Sequence, residues 1–378
     1  MPVTPTYPGA YVEELSSGVT PIQGVSTSIA AFIGSSVCGP LNQPIRIFSL
    51  SEFQSNFGKV APSHELGHAV KQFFANGGTD AWIVRVSDTA PDWQTGITTL
   101  ASVEPFNLLV LPGVTDAPTI TAAIAYCEKR SAFLLLDSPH DAITPQEILQ
   151  YLNGGPLPHS ENAAMYYPWV KVAGRWCAPG GTLAGVIART DAERGVWKSP
   201  AGTMLTDVTR LKYNLTDAEN ALLNPVAINC LRSFPGKGIV AWGARTLAGA
   251  DSNSSEWKYI PVRRLALFVE RSIFTGTQWV VFEPNAEPLW ARIRQSVGNF
   301  LNNLFRSGAF QGVTPKDAYY VKCDAATTTQ NDVNLGIVNI EVGFAPLKPA
   351  EFIVLVIQRQ AGKHGSKPSK KNHKKKKT

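Results

Sequence analysis

The spacing most suggestive of chemistry lies near residue 65. His64, Glu65 and His68 match the HExxH pattern of zinc proteases, in which a helix presents two imidazoles on one face and a glutamate as general base. Three features weigh against a zinc site. The histidines are predicted to lie opposite the apolar face of their helix, on the exposed side. Lys71 is expected beside them, where a cation repels a divalent metal, and it takes the place of the glycine of the longer motif, whose third histidine is also missing. We therefore expect solvated or subunit-contacting histidines and keep a zinc metallopeptidase as the alternative function.

Other catalytic patterns are missing from the sequence. It contains no GxSxG elbow, and no GxGxxG follows the apolar run at 108–111. The segment 236–238 lacks the upstream glycine and the Ser/Thr of a P-loop and predicts a turn before a strand. We therefore expect no enzymatic activity, no cofactor and no metal. The cysteines are isolated and odd in number, which favours buried free thiols over a metal site or disulfides; they are Cys38, Cys127, Cys177, Cys230 and Cys323.

The predicted elements form an α/β fold with mixed α+β character. Apolar runs at 108–111 and 133–136 flank a helical pattern at 120–129, which indicates βαβ connections and a local parallel sheet. A helix begins at a Ser63 cap, has a regular apolar face and ends at Gly77-Gly78. Further strands are predicted at 29–34, 45–48, 82–86 and 239–242, and further helices at 146–152 and 262–275.

The clearest helix in the sequence runs from about Ala286 to Ser307. Asn285 is its predicted N-cap and Gly308 its end. One face is apolar, and the opposite face is a polar stripe with cationic ends. Such stripes usually face water, but this one is also a candidate contact surface. Its residues are Arg292, Gln295, Asn299, Asn302 and Arg306.

Both termini carry β-strand patterns next to proline and glycine. The N-terminal one lies within the first 20 residues, and the C-terminal one covers residues 351–358. Neither is expected to be stable alone. They either pair within one subunit or add strands to the sheets of neighbouring subunits. The side chains expected in these arm contacts are Tyr7, Tyr11, Val12, Glu13, Glu14, Leu15, Phe352, Ile353, Val354, Leu355, Val356 and Ile357.

Composition and charge narrow the class of protein. Charged residues make up 17% of the 378, against about 25% in ordinary soluble proteins, so much of the surface is expected to be uncharged. The net charge of +6 comes from the segment 363–378, which holds eight lysines and no acid. That tail is either solvated or bound to an anionic surface; it has no aromatic residue for base stacking and no apolar face for insertion.

No signal-peptide pattern and no run of about 18 apolar residues occurs, so we expect assembly in the cytoplasm, no membrane insertion and no specific nucleic acid.

Short motifs recur in a recognisable order along nearly the whole chain, and with them the sequence resembles the contractile tail sheath proteins of bacteriophages and of phage-tail-like injection particles. Each motif is weak alone, and their order carries the resemblance. They are Tyr7-Pro8-Gly9, Gly24 to Ser28, Ala31 to Gly34, Phe73 to Gly78, Ala188 to Asp191, Arg194 to Lys198, Trp242 to Thr246, Tyr259 to Arg264, Phe282 to Asn285 and Lys348 to Phe352.

The resemblance implies a structural subunit of hexameric rings stacked helically around an inner tube. Contraction of such a sheath drives the tube through a target envelope, and baseplate and tail terminator or cap proteins are the further partners. The terminal arms would be exchanged between subunits, and the polar stripe of the 286–307 helix is our candidate for the surface that faces the tube. The alternative remains a zinc metallopeptidase that uses the His64 segment.

The expected organisation has six parts. A tail-sheath core of mixed sheets flanked by helices would lie between extended terminal β-arms. The parts are an N-terminal arm and linker (1–20), a first core part (21–90), a central α/β region (91–224), a second core part (225–345), a C-terminal arm (346–362) and a lysine-rich disordered tail (363–378).

Overall fold

A computed structural model describes residues 20–88, 92–103, 106–155 and 157–352. The chain divides into two units, Met1–Lys348 and Pro349–Thr378, and every helix and strand given below lies in the first unit.

The strands of the described residues are short, and several are buried along their whole length. In chain order they are β1 (Ala30–Gly34), β2 (Pro44–Ile47), β3 (Ala81–Arg85), β4 (Leu108–Val110), β5 (Phe133–Asp137), β6 (Ala163–Tyr167), β7 (Val170–Val172), β8 (Arg175–Cys177), β9 (Arg210–Leu211), β10 (Ile228–Phe234), β11 (Gly238–Ala241), β12 (Tyr319–Lys322) and β13 (Glu341–Phe344).

The helices connect and cover these strands. They are α1 (Leu50–Phe57), α2 (Glu65–Ala75), α3 (Trp93–Thr99), α4 (Ala117–Arg130), α5 (Pro145–Gly154), α6 (Gly180–Arg194), α7 (Asp217–Leu223), α8 (Ile260–Gly276), α9 (Glu287–Arg306), α10 (Pro315–Ala318) and α11 (Gln330–Asn334). Among the described residues, no helix is both long enough and apolar enough to cross a membrane.

An eight-stranded sheet forms the centre of the first unit. Its order is β11-β10-β6-β5-β4-β1-β3-β2. The six inner strands are parallel, and the two edge strands β2 and β11 are antiparallel to their neighbours. Strand β1 lies in the middle, where Phe32 pairs in register with Ile83 of β3 and Val110 of β4. The sheet is therefore mixed, as the sequence predicts.

Helices cover both faces of this sheet because its strands are apolar on both sides. Phe32 belongs to one core together with Phe73 of α2, and the next residue, Ile33, belongs to a second core together with Ile97 of α3 and Ile124 of α4. Adjacent side chains thus enter opposite layers, which is the two-residue period of a strand. The sheet is doubly wound.

The C-terminal part of the first unit has a core of its own. Buried side chains of α8 and α9, such as Val269, Ile293 and Leu301, pack there with partly buried Val342 of β13. Strands β12 and β13 form an antiparallel pair, and β8-β7-β9 form a separate three-stranded antiparallel sheet.

The βαβ prediction is confirmed, with boundaries that differ by at most three residues. Three details are wrong. The N-cap of α2 is His64 rather than Ser63, and the N-cap of α9 is Ala286 rather than Asn285. Cys38 is exposed, whereas the other four free cysteines are buried as predicted.

Candidate functional site

The HExxH segment starts helix α2 but does not have the geometry of a helical zinc motif. His64 is the N-cap residue, with an extended backbone (φ −118°, ψ 113°), so it does not share a helical face with His68. Its Nδ1 lies 3.1 Å from the hydroxyl of Ser35 and 3.6 Å from a carboxylate oxygen of Asp88. The prediction of exposed histidines is wrong, because both side chains are partly buried.

Glu65, the expected general base, is held by an arginine. Its Oε1 lies 2.5 Å from Nη2 of Arg175 on β8, and both side chains are about three-quarters buried. Burial lowers the pKa of His68, and the nearby cations of Arg175 and Lys71 lower it further. The carboxylate that the motif would use as a general base is therefore paired with a guanidinium. Among the residues that the structure describes, no group of three His, Cys, Asp or Glu side chains can hold a metal ion.

The same segment lies at the topological switch point of the sheet. Strand β1 has β3 on one side and β4, which comes later in the chain, on the other, so the order of strands reverses at β1. In open α/β sheets, ligands bind at such a point, beyond the carboxyl ends of the strands. Here Ser35, just after β1, contacts His64, and Gly113, just after β4, lies beside the Glu65 side chain. The start of α2 thus packs across the carboxyl ends of both strands.

A buried acid completes this edge of the sheet. Asp137, the last residue of β5, is 1% exposed and accepts hydrogen bonds from the backbone N–H groups of Gly180 (2.6 Å) and Gly113 (3.0 Å). Burial raises the pKa of Asp137 to about 7, although the two N–H donors oppose the shift. The carboxyl group fastens the first turn of α6 to the loop after β4. This role could not be predicted from the sequence, because Asp137 follows an apolar run with no motif around it.

Helix α9 presents the predicted polar stripe on its outer side. Gln295, Asn299 and Arg306 are exposed, and Asn302 and Arg292 are partly exposed. Arg292 lies 3.6 Å from a carboxylate oxygen of Glu283 and 4.5 Å from the ring centroid of Trp279.

The face of α9 opposite the stripe is apolar, and its burial holds the helix in place. Leu289, Ile293, Val297, Phe300, Leu301 and Leu304 are all buried in the C-terminal core. Asn285 does not cap the helix. It accepts a hydrogen bond from the Trp290 indole and donates one to the carbonyl of Ile337. Arg294, which sequence analysis did not single out, pairs with Glu287 at 2.5 Å and donates to the carbonyl of Cys323.

The predicted arm contacts fall almost entirely outside the described residues. Outside them lie the six N-terminal side chains, from Tyr7 to Leu15, and the side chains of residues 353–357. Phe352 is described and is 74% exposed.

Comparisons with known proteins give a single answer. Two family models match, the phage tail sheath protein central domain over residues 88–247 and the phage tail sheath C-terminal domain over residues 252–360. The tail sheath protein of Vibrio phage KVP40 is 27% identical over 184 residues, which is 48% of this chain and 26% of the relative. A putative prophage major tail sheath protein of Pseudomonas aeruginosa is 26% identical over 65% of this chain and 62% of its own length. The aligned part thus spans about a quarter of the first relative and less than two thirds of the second.

Solved structures match over nearly the whole chain. The PVC sheath complex of an extracellular contractile injection system, in the contracted state, has a TM-score of 0.80 and 30% identity, over 95% of this chain and 99% of that one. The helical sheath of the anti-feeding prophage (AFP), also contracted, has a TM-score of 0.77 and 30% identity, over 95% of this chain and 100% of that one.

Proposed function

The chain belongs to the contractile tail sheath protein family, and on that premise we propose that it forms stacked hexameric rings around an inner tube and contracts to drive the tube through a target envelope. The family is one of structural proteins. We propose further that the chain has no catalytic role, and that it assembles in the bacterial cytoplasm as part of a phage tail or an injection particle.

The observation that carries this proposal is the match to the PVC sheath, which extends over 95% of this chain and 99% of the other at 30% identity.

The surface of the isolated subunit supports assembly. Several large apolar side chains of the described residues are at least half exposed, and their burial between copies would stabilise an assembly. Phe282 has no contact that shields it, at 102% relative exposure, and its φ of 71° lies in the left-handed region that a bulky residue rarely adopts. Phe48, Phe274, Val313 and Leu335 are also exposed by 55–93%. Burial of such surface between copies would supply free energy for contraction without a nucleotide.

Helix α9 is the proposed tube-facing element. The buried face fixes its position, and the exposed stripe from Arg292 to Arg306 presents amides and cations. Exposed ion pairs contribute about 0.2 to 1 kcal/mol each, so a few of them to an acidic tube would give a contact that can be released.

The terminal arms and the remaining partners complete the proposal. Segments 1–20 and 346–362 would add strands to neighbouring subunits, and baseplate and terminator or cap proteins would bind the ends of the stack. The central sheet joins strands from residues 30–241, so the predicted parts 21–90, 91–224 and 225–345 would move together in this body.

Negative-stain microscopy of the full-length chain, expressed with and without its tube protein, tests the function. We expect helical tubes of stacked rings, and their loss when residues 1–15 are deleted. A wild-type chain that stays monomeric at high concentration and in the presence of the tube protein would contradict the proposal. Deletion of residues 363–378 is the matched control, because the sheath resemblance does not include that tail.

A further inference from the structure

The chain between the proposed N-terminal arm and the central sheet is fastened along helix α8. We call residues 22–28 the anchor segment. At its start, the buried Ile22 side chain lies against Gly276 at the end of α8. Three residues later, the backbone N–H of Val25 donates to the hydroxyl of Ser272 at 3.1 Å. Successive residues of the anchor segment therefore contact α8 at positions closer and closer to the start of the helix.

The last of these contacts is at Arg264, whose Nη2 donates to the carbonyl of Thr27 at 2.8 Å. From residue 264 to residue 276 a helix rises about 18 Å. Five residues of extended chain, from Ile22 to Thr27, cover about 17 Å. The two lengths agree, so the anchor segment runs antiparallel to α8 in an extended conformation.

A buried ion pair closes the sheet end of the anchor segment. Arg264 reaches both carboxylate oxygens of Asp191 on α6, at 2.9 and 2.6 Å, and both side chains are 4% exposed. The Thr27 hydroxyl donates to the same carboxylate at 2.6 Å. Thr27 thus contacts both members of the pair, one through its carbonyl and one through its hydroxyl. A buried pair with added hydrogen bonds holds its geometry, because breaking it strands a charge away from water.

Asn107 continues the attachment on the side of the sheet. Its Nδ2 donates to the carbonyl of Ser26 at 2.8 Å, and its Oδ1 accepts the backbone N–H of Ile29 at 3.1 Å. The next residue begins β1, the strand between β3 and β4. Three of the short motifs in the sequence, those ending at Ser28, Asp191 and Arg264, therefore meet at one joint.

We infer that the anchor segment, with Arg264 and Asp191 as its positioning residues, is the joint through which tension on the N-terminal arm enters the body of the subunit. This inference rests on the proposed function, because it supposes that the arm connects to a neighbouring subunit. The arm would enter the body at the Gly276 end of α8, and a pull along the anchor segment would shear its contacts with α8 together rather than open them one by one. Ile22 and α8 share the C-terminal core with α9, so the load also reaches the proposed tube-facing helix.

Two hydrogen bonds of the anchor segment can be removed while Arg264 and Asp191 themselves stay unchanged. We propose the full-length double variant Thr27→Val with Ser272→Ala, and Thr209→Val as the matched control, since the Thr209 hydroxyl bonds a backbone carbonyl at 3.1 Å in the separate three-stranded sheet. In hydrogen exchange, loss of each bond is expected to speed exchange of residues 22–28 about fivefold. In the double variant, exchange of β1 should stay at the wild-type rate. In the control variant, exchange of residues 22–28 should also stay at the wild-type rate.

The second measurement is mechanical. Assembled sheaths of each variant are sheared, and the fraction of broken tubes is counted by microscopy. Together, faster exchange in residues 22–28 and at least twofold more breakage than in Thr209→Val support the joint. Unchanged exchange overturns the attachment along α8. Faster exchange with breakage at the wild-type level overturns the proposal that the joint transmits tension. Failure of the proposed function looks different, because then the wild-type chain itself forms no tubes.

Discussion

Two ion pairs of this protein contrast in what the sequence shows and in how the fold uses them. Glu65 belongs to a segment that matches a catalytic motif, yet its pair with Arg175 is only partly buried, with side chains 23% and 27% exposed. Arg264 and Asp191 match no catalytic motif, yet both are 4% exposed and hold an N-terminal segment between two helices. Burial, rather than resemblance to a motif, indicates which pair the fold depends on.

The physical reason is the cost of leaving a charge without a partner. In water a stranded carboxylate is solvated, whereas in the interior it is not, so loss of one partner of a buried pair typically costs 3 to 5 kcal/mol. Loss of an exposed pair typically costs only about 0.2 to 1 kcal/mol. Variants of the two pairs should differ accordingly.

The largest effect is expected for Arg264→Met. It strands the Asp191 carboxylate in the interior and should lower the free energy of unfolding by about 3 to 5 kcal/mol, measured by chemical denaturation of the dispersed subunit. The double variant Arg264→Met with Asp191→Leu removes both charges and should recover most of that loss. A double variant as unstable as the single one would show that burial of the charge is not the cause.

The second largest effect is expected at the buried acid Asp137. Burial raises the pKa of Asp137 to about 7 in the folded state, above the unfolded value of about 3.9. The folded state therefore binds more protons between these values, so the stabilising contribution is present below about pH 4 and is lost as the pH rises to 7. Between pH 5 and pH 7 the wild type should lose about 2 to 3 kcal/mol relative to Asp137→Asn. Parallel stability curves for the two proteins would refute the assignment.

A smaller effect is expected at the HExxH segment. Glu65→Gln leaves the partly exposed Arg175 without its partner and should cost about 1 kcal/mol of unfolding free energy. The pKa of His68 should fall further, because the Glu65 charge raises it in the wild type. Titration of the His68 ring by NMR measures this directly. If His68 titrates at a higher pH in the variant, the Glu65 charge does not act on it as described.

The smallest effect for each residue is expected on the outer face of α9. Arg292→Glu and Arg306→Glu should cost no more than about 1 kcal/mol of unfolding free energy, through the Glu283 and Trp279 contacts that Arg292 loses. They should weaken co-assembly with the proposed tube by about 0.2 to 1 kcal/mol for each exposed pair lost. The weakening should diminish at high salt, because exposed charges are screened. Lys59→Glu, a charge reversal at an exposed position outside α9, is the control. If a sheath that carries both substitutions assembles normally around a tube, the proposed tube-facing role of α9 is wrong.

Much of the fold could be predicted from local patterns, and the misses have identifiable causes. Helix α9 has a continuous apolar face, and its predicted ends differ from the observed ones by a single residue. Helix α6 was not predicted, because it begins with Gly180 and Gly181, which are poor helix formers. A Cβ at Gly181 would lie 2.4 Å from the carbonyl oxygen of Ala69, so close packing against α2 requires glycine there. That contact spans more than 100 residues of sequence.

The sequence alone determined the α/β class, the apolar and polar faces of the long helices, the concentration of positive charge in the last sixteen residues and the resemblance to sheath proteins. These properties depend on neighbours within a few residues or on the order of motifs. Only the tertiary structure decided that Glu65 faces Arg175, that Asp137 is buried against two backbone N–H groups, and that Thr27, Asp191 and Arg264 form one joint. The partners in each case come from distant segments, and their burial, which sets their energies, does not exist before the chain has folded.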